Sequence, residues 1–313
     1  MVPRPTSGET QVIPSSEAVD RPVFVIGSGR SGLTPLMDLI SYHDAFAWPS
    51  QYNGRWPGTF RWSLLSRIVE FPPFTAGRSW RGVPKHGEAY GLWNSCFPGF
   101  ARPFRDLVAD DVTPYVRRRF RAAVAGIMKY QGKARFIAEY SGWSRIAFLR
   151  SIFPGARFIH IVRDGRAVAN SLMNTDWWAG WEGVYKWRWG VPDSDLLERL
   201  RQYDFSFLAL AAAQWKILVR NICEKGGQLP TEDFIVVRYE DLVAAPHREA
   251  QRCLDFCDIE PGPRFANLVD KTRIVDANTE TYRIPPWREN LTHHQIEMLR
   301  DLIGEELGWF GYL

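Results

Sequence analysis

The chain is short of lysine, cysteine and long apolar runs, and the last two shortages each remove a class of function. Lysine supplies only 7 of 39 basic residues, and the net charge of +4 is too small and dispersed for nucleic acid to be the main partner. The 4 cysteines, at positions 96, 223, 253 and 257, form no C-x-x-C pair and have no histidine at metal-ligand spacing. Reduced, buried thiols are expected, with Cys253 and Cys257 on one face of a predicted helix. No apolar stretch approaches the ~18 residues of a membrane span, and the first residues lack the charged-then-apolar layout of a secretory leader. No integral membrane segment is therefore expected. A cytoplasmic protein is the simplest reading, with an excised lumenal domain the alternative. Acidic residues form no cluster suited to a cation, so no metal is expected.

The remaining composition, 45% hydrophobic and 24% charged over 313 residues, is that of a globular chain able to bury a large core. Residues 1–20 are polar and aperiodic and are expected to form a mobile arm, with the folded domain spanning 21–313. Val23 to Ile26 is a short, apolar, mostly β-branched run suited to a strand buried on both faces of a parallel sheet. Gly27-Ser-Gly-Arg-Ser-Gly32 follows at once, and Leu33 to Ile40 reads as a helix. Three glycines in six residues let the backbone turn tightly with its N–H groups inward, at a helix N-terminus that favours anions. The Gly27 to Gly32 spacing matches the nucleotide P-loop, except that Leu33 stands at the lysine position while Thr34 keeps the hydroxyl. That loss argues against ordinary phosphoryl transfer, and Arg30 is the cation left in the loop.

Strand, G-S-G-R-S-G-x-T and helix together resemble the 5′-phosphosulfate loop of sulfotransferases that use 3′-phosphoadenosine 5′-phosphosulfate (PAPS). Many members read R-S-G-T-T or R-S-G-S-T, so Leu33 departs from the pattern by one hydroxyl. Downstream, Ala156 to Val162 reads as a second buried strand running into Arg163-Asp-Gly-Arg-Ala-Val-Ala-Asn-Ser171. In the family this R-D-x-R-x-x-x-x-S turn binds the 3′-phosphate, here through Arg163 and Ser171. The pairing makes physical sense, because a strand-end arginine and a hydroxyl two turns into the next helix can face one phosphate. Phe234 to Leu242 reads as a third strand ending in Arg-Tyr-Glu-Asp, whose tyrosine, Tyr239, approaches adenine in the family. The stretch from Pro285 to Thr292, P-P-W-R-E-N-L-T, resembles the family's terminal motif before its last helix, with Thr292 as N-cap.

The resemblance implies a single α/β domain with a central, mainly parallel sheet flanked by helices, binding PAPS without a metal. Gly29, Arg30, Ser31, Gly32, Leu33, Thr34, Arg163, Ser171 and Tyr239 would hold the donor. It implies sulfuryl transfer to an acceptor hydroxyl or amine, a carbohydrate or small molecule being favoured. Several relatives use a glutamate after the loop as general base, but Gln51 stands there and cannot accept a proton. The candidates are then His86 and Glu88, in Pro84-Lys-His-Gly-Glu-Ala-Tyr90, with Glu139 a third. A P-loop kinase and a degenerate nucleotide- or glycan-binding module are the competing readings.

Elsewhere the pattern predicts an aromatic connection without regular elements over the mouth of the site from Ala45 to Phe74. Val112 to Tyr130 should form a helix with Arg117, Arg118, Arg119 and Arg121 on solvated faces. Arg135 to Tyr140 should be a strand, Trp143 to Phe153 a helix capped near Ser141 or Ser144, and Phe205 to Cys223 a core helix. Trp177, Trp178, Trp181, Trp187 and Trp189 form either an aromatic platform for an acceptor or a lid packed on the core.

Overall fold

The computed structural model describes residues 19–70, 82–272 and 286–313. Most of the polar arm, residues 71–74 of the aromatic connection and Pro285 lie outside the described residues. Five strands form the sheet: β1 (Val23–Gly27), β2 (Phe46–Ala47), β3 (Arg135–Ser141), β4 (Arg157–Val162) and β5 (Phe234–Arg238). Their order is β2-β3-β1-β4-β5, and every pairing is parallel. The first strand thus lies at the centre, flanked by strands that arrive much later in the chain. Gly27 is in register with Ser141, and Val162 with Arg238, so the carboxyl ends of four strands share one edge. That edge, where connections leave for opposite faces, is where open α/β sheets bind ligands.

Alternation along β1 explains why both faces are covered. Val23 and Val25 pack with α1 (Leu33–Ile40), whose Leu36, Leu39 and Ile40 are fully buried, on one face. Phe24 and Ile26 point to the other, where Phe24 meets Phe136, Tyr140, Phe153 and Phe158. Removing a side chain so enclosed costs ~3–5 kcal/mol, so Phe24→Ala should threaten the fold rather than the site. A third cluster gathers the helix Gly165–Leu172 and the long helix Phe207–Gly226 with the C-terminal helix His293–Trp309. Thr292 caps that last helix by accepting from the Gln295 amide, as expected. Among the described residues no helix is long and apolar enough to cross a membrane.

Several expectations need correction. The Ala45 to Phe74 connection is not irregular in its described part: it holds β2, a short helix α2 (Gln51–Arg55) and a 3₁₀ segment from Phe60 to Glu70. Nor do its described residues line the cleft at the sheet edge, because Phe60 instead packs on Gly126 of the helix Pro114–Gln131. The arginines of that helix are not simply solvated: Arg117 and Arg121 donate to the carbonyls of Ser151 and Ile152, and Arg119 to that of Ser95. They satisfy acceptors left unpaired at a helix C-terminus. The helix expected from Trp143 runs only over Ile146–Ile152, because Arg145 takes a left-handed φ of 51° and Ser144 spends its hydroxyl on Asp106. The third strand stops at Arg238, and Tyr239 opens a helix instead. Cys253 is the only one of its pair inside the helix Pro246–Phe256, but both thiols are buried and free.

Candidate active site

The loop after β1 is shaped by what its glycines exclude. A Cβ on Gly27 would lie 2.6 Å from the Ile161 carbonyl, and one on Gly32 only 2.4 Å from the Tyr239 ring. Gly32 also has φ 100°, a region L side chains rarely enter, and it caps α1. Arg30 sits at φ 69°. Ser31, expected to contact the donor, is fully buried, and its hydroxyl donates to the Ser28 carbonyl at 2.7 Å. Its side chain holds the loop together instead of facing the cleft.

The two anion motifs meet although they are far apart in the chain. Arg30 Nε donates to Ser171 Oγ at 2.9 Å across 141 residues. Arg163, at the end of β4, lies over the Tyr239 ring at 4.6 Å. A cleft of about 370 Å³ is lined by Gly29, Arg30, Gly32, Leu33, Thr34, His86, Glu88, Glu139, Arg163 and Tyr239, among others. A second cavity, of about 610 Å³, shares Arg163 and Tyr239 with it and adds Ser171, Asn170, Trp287 and Arg288. Trp287 comes from the terminal P-W-R-E-N segment. Arg166, the second arginine of the turn, pairs with Asp164 at 2.8 Å and lies 4.3 Å over Trp287, so it buttresses this wall.

The opposite wall carries the candidate bases. Gln51 does not face the cleft. Its side chain accepts from the Lys85 amide at 2.6 Å and donates to the Val83 carbonyl at 3.0 Å, pinning the segment that presents His86 and Glu88. His86 is buried between two carboxylates, Nδ1 to Glu139 and Nε2 to Asp38, each at 2.8 Å. Burial opposes its charge, but the Glu139 carboxylate and the two hydrogen bonds prevail and raise its pKa to about 10. Only the imidazolium can donate on both sides, and it has no lone pair left to take a proton. The geometry therefore does not suit His86 to the role of base. Glu88 is held differently: Oε1 accepts from the Ser141 amide at 2.6 Å and from the Tyr90 hydroxyl at 2.9 Å. Burial pushes its pKa up, the Glu139 charge adds to that, and the hydrogen bonds from Ser141 and Tyr90 pull part of it back.

Sequence reasoning missed Asp38, Ser141 and Tyr90. Asp38 had a signal, being the only acid in the apolar helix L-T-P-L-M-D-L-I. The tryptophan cluster divides. Trp178 and Trp187 are core residues whose indoles donate to Gln214 and to the Gly190 carbonyl. Trp177 lines the cleft, its ring 3.2 Å from where a Gly29 Cβ would stand.

A parallel sheet with an anion loop after its central strand, and an arginine–serine pair after the neighbouring β4, defines a sulfotransferase-type fold. The profile of the sulfotransferase family matches residues 22–262, and the chain belongs to that family. It is similar to the nodulation protein NoeE of Sinorhizobium fredii, at 25% identity over 91% of this chain. It spans 64% of the length of NoeE. It is also similar to the ω-hydroxy-β-dihydromenaquinone-9 sulfotransferase Stf3 of Mycobacterium bovis, at 23% identity over 94% of this chain and 76% of Stf3. The sulfotransferase STF9 of Mycobacterium avium shares the fold, with a TM-score of 0.56 and 16% identity over 93% of this chain and 76% of that one.

Proposed function

We propose that the protein transfers a sulfuryl group from PAPS to an acceptor hydroxyl, releasing adenosine 3′,5′-bisphosphate, with Glu88 as general base. The observation that carries this reading is the 2.9 Å contact of Arg30 with Ser171, which brings both anion motifs onto one cleft with Glu88 on its other wall. Two cavities joined through Arg163 and Tyr239 suit a ligand with two separated phosphates, and the bare Gly32 leaves Tyr239 its place between them. The loop amides from Gly29 to Thr34 and Arg30 would hold the 5′ side; Arg163 and Ser171 would hold the 3′-phosphate. PAPS, when bound, supplies the sulfuryl group and a phosphate leaving group.

The residues of the chain then divide the labour. Glu88 takes the acceptor proton, using a carboxylate whose raised pKa makes it a better base than an exposed glutamate. Ser141 and Tyr90 fix its other oxygen, so the proton-accepting geometry is set before the acceptor arrives. The His86 cation balances Asp38 and Glu139, and so offsets the Glu139 charge that acts on Glu88. Arg30 favours charge growing on the leaving oxygen. The name of Stf3 specifies a hydroxyl-bearing acceptor, and Trp177 at the cleft offers a ring face to a carbohydrate or small molecule.

Binding and turnover test the reading together. Adenosine 3′,5′-bisphosphate should bind the wild type at least tenfold more tightly than adenosine 5′-monophosphate by calorimetry, and Arg163→Ala should erase the gap, a charge-assisted contact being worth ~1.5–3 kcal/mol. Equal affinities in the wild type, or phosphoryl transfer from ATP in place of sulfuryl transfer from PAPS, would sink it.

A further inference from the structure

Beside the cleft lies a smaller cavity of about 250 Å³ that shares Glu88, Ser141 and Trp177 with it. Its remaining walls are unusual in charge. Arg102, Arg145 and Arg188 all line it, against the single carboxylate of Glu88. Arg145 is buried, and its guanidinium donates to the carbonyls of Phe100, Ser141 and Trp143, while the carboxylate of Asp106 accepts from its backbone N–H and not from its side chain. Arg188 lies 5.0 Å over the Trp189 ring, and among the described residues neither it nor Arg102 forms a salt bridge. Burial, then the nearby charges of Arg102 and Arg145, lower the pKa of Arg188, while Tyr90 and Glu88 oppose that shift. Gathering three cations around so small a space costs energy that an anion in the cavity would return.

We infer that the acceptor is itself an anion: a hydroxyl-bearing molecule whose carboxylate, phosphate or sulfate group enters this cavity between Arg102 and Arg188, while a flat face rests on Trp177 and Trp189. The inference rests on the reading of the neighbouring cleft as the site of transfer, because Glu88 is common to both. The arrangement separates tasks by charge. Glu88 meets the hydroxyl at the inner end, and the guanidinium groups read the oxyanion at the outer end with planar donors matched to its oxygens. Arg145 sets the positive field without needing to touch the ligand.

The test uses the full chain saturated with adenosine 3′,5′-bisphosphate, so that the donor site cannot capture the probes. 2-Naphthoate, 2-naphthyl phosphate and neutral 2-naphthamide are titrated by calorimetry against the wild type, Arg188→Gln and Arg102→Gln. One or both oxyanions should bind the wild type at least about tenfold more tightly than the amide, and either substitution should shrink that ratio several-fold without changing affinity for the bisphosphate. The better of the two oxyanions then names the group. Equal binding of amide and oxyanions, binding of none of them, or a preference that survives both substitutions overturns the inference. Failure of the bisphosphate itself to bind would instead strike the donor reading, and the oxyanion-to-amide ratio measured without it still decides the question of the cavity.

Discussion

The two walls of the cleft are built in opposite ways. The donor wall comes from two contiguous strand–turn–helix units, Val23 to Ile40 and Arg157 to Leu172, in which each functional residue sits a few positions from the strand that aims it. The facing wall is assembled from pieces with no common motif, His86 and Glu88 from the segment before the helix Tyr90–Cys96 and Glu139 and Ser141 from β3, with Asp38 of α1 bonded to His86 from behind the cleft. A wall made of local turns keeps its geometry through backbone conformation, whereas one made of distant pieces depends on hydrogen bonds such as those Gln51 makes to Val83 and Lys85. Chemistry common to a family can reside in the first kind; acceptor preference can vary through the second.

The difference can be broken most sharply at Glu88. Glu88→Gln keeps the shape and removes the proton acceptor, so kcat should fall ~100- to 10,000-fold while calorimetric affinity for the bisphosphate stays within about twofold. In the wild type the rate should decline on acidification from a pH above the ordinary glutamate range of ~4.3, since burial raises this carboxyl. Near wild-type turnover in the glutamine variant would move the base to Glu139.

On the donor wall, Arg30→Ala should lower kcat about ten- to a hundredfold and disturb cofactor affinity less, because charge on the leaving oxygen develops mainly in the transition state. A rise in KM for PAPS with kcat intact would make Arg30 a plain binding residue. Gly32→Ala strains a residue at φ 100° and drives a methyl into Tyr239, so bisphosphate affinity should drop about tenfold and stability by ~1–2 kcal/mol. Unchanged binding would show that Tyr239 can move without consequence.

The smallest expected effect concerns His86 and is read in stability. Its pKa is raised in the folded state, so its contribution is fully present below the unfolded value of ~6.5 and is lost as pH climbs toward about 10. The wild-type Tm should therefore fall over that alkaline interval, and His86→Gln should flatten the fall. An identical pH slope in both proteins would mean that the two carboxylates do not hold a charged imidazole.

Legibility followed the same division. The turns after β1 and β4 could be read residue by residue, because a Gly-rich loop and a strand-end arginine owe their roles to neighbours in the chain. Even there the direction of Ser31 could not be read, since whether a hydroxyl turns inward depends on the carbonyl of Ser28 coming within reach. On the facing wall His86 and Glu88 were both in view as proton acceptors, but local sequence could not separate them: His86 reads as a base by residue type and is held as a cation only through Asp38 and Glu139, 48 and 53 positions away. The tryptophans show the limit from another side, as five similar residues part company: Trp178 and Trp187 enter the core, Trp177 lines the cleft, Trp189 lines the cavity beside it and Trp181 is exposed.

The sequence by itself determined four of the five strands and the Gly-rich turn after β1, because strand burial, glycine φ and helix N-termini are properties of a few consecutive residues. Only the tertiary structure decided that His86 lies between two carboxylates, that Gln51 is a staple, and that Arg102, Arg145 and Arg188 meet around one cavity. Burial and charge at those positions are set by side chains from remote segments, and no local pattern encodes them.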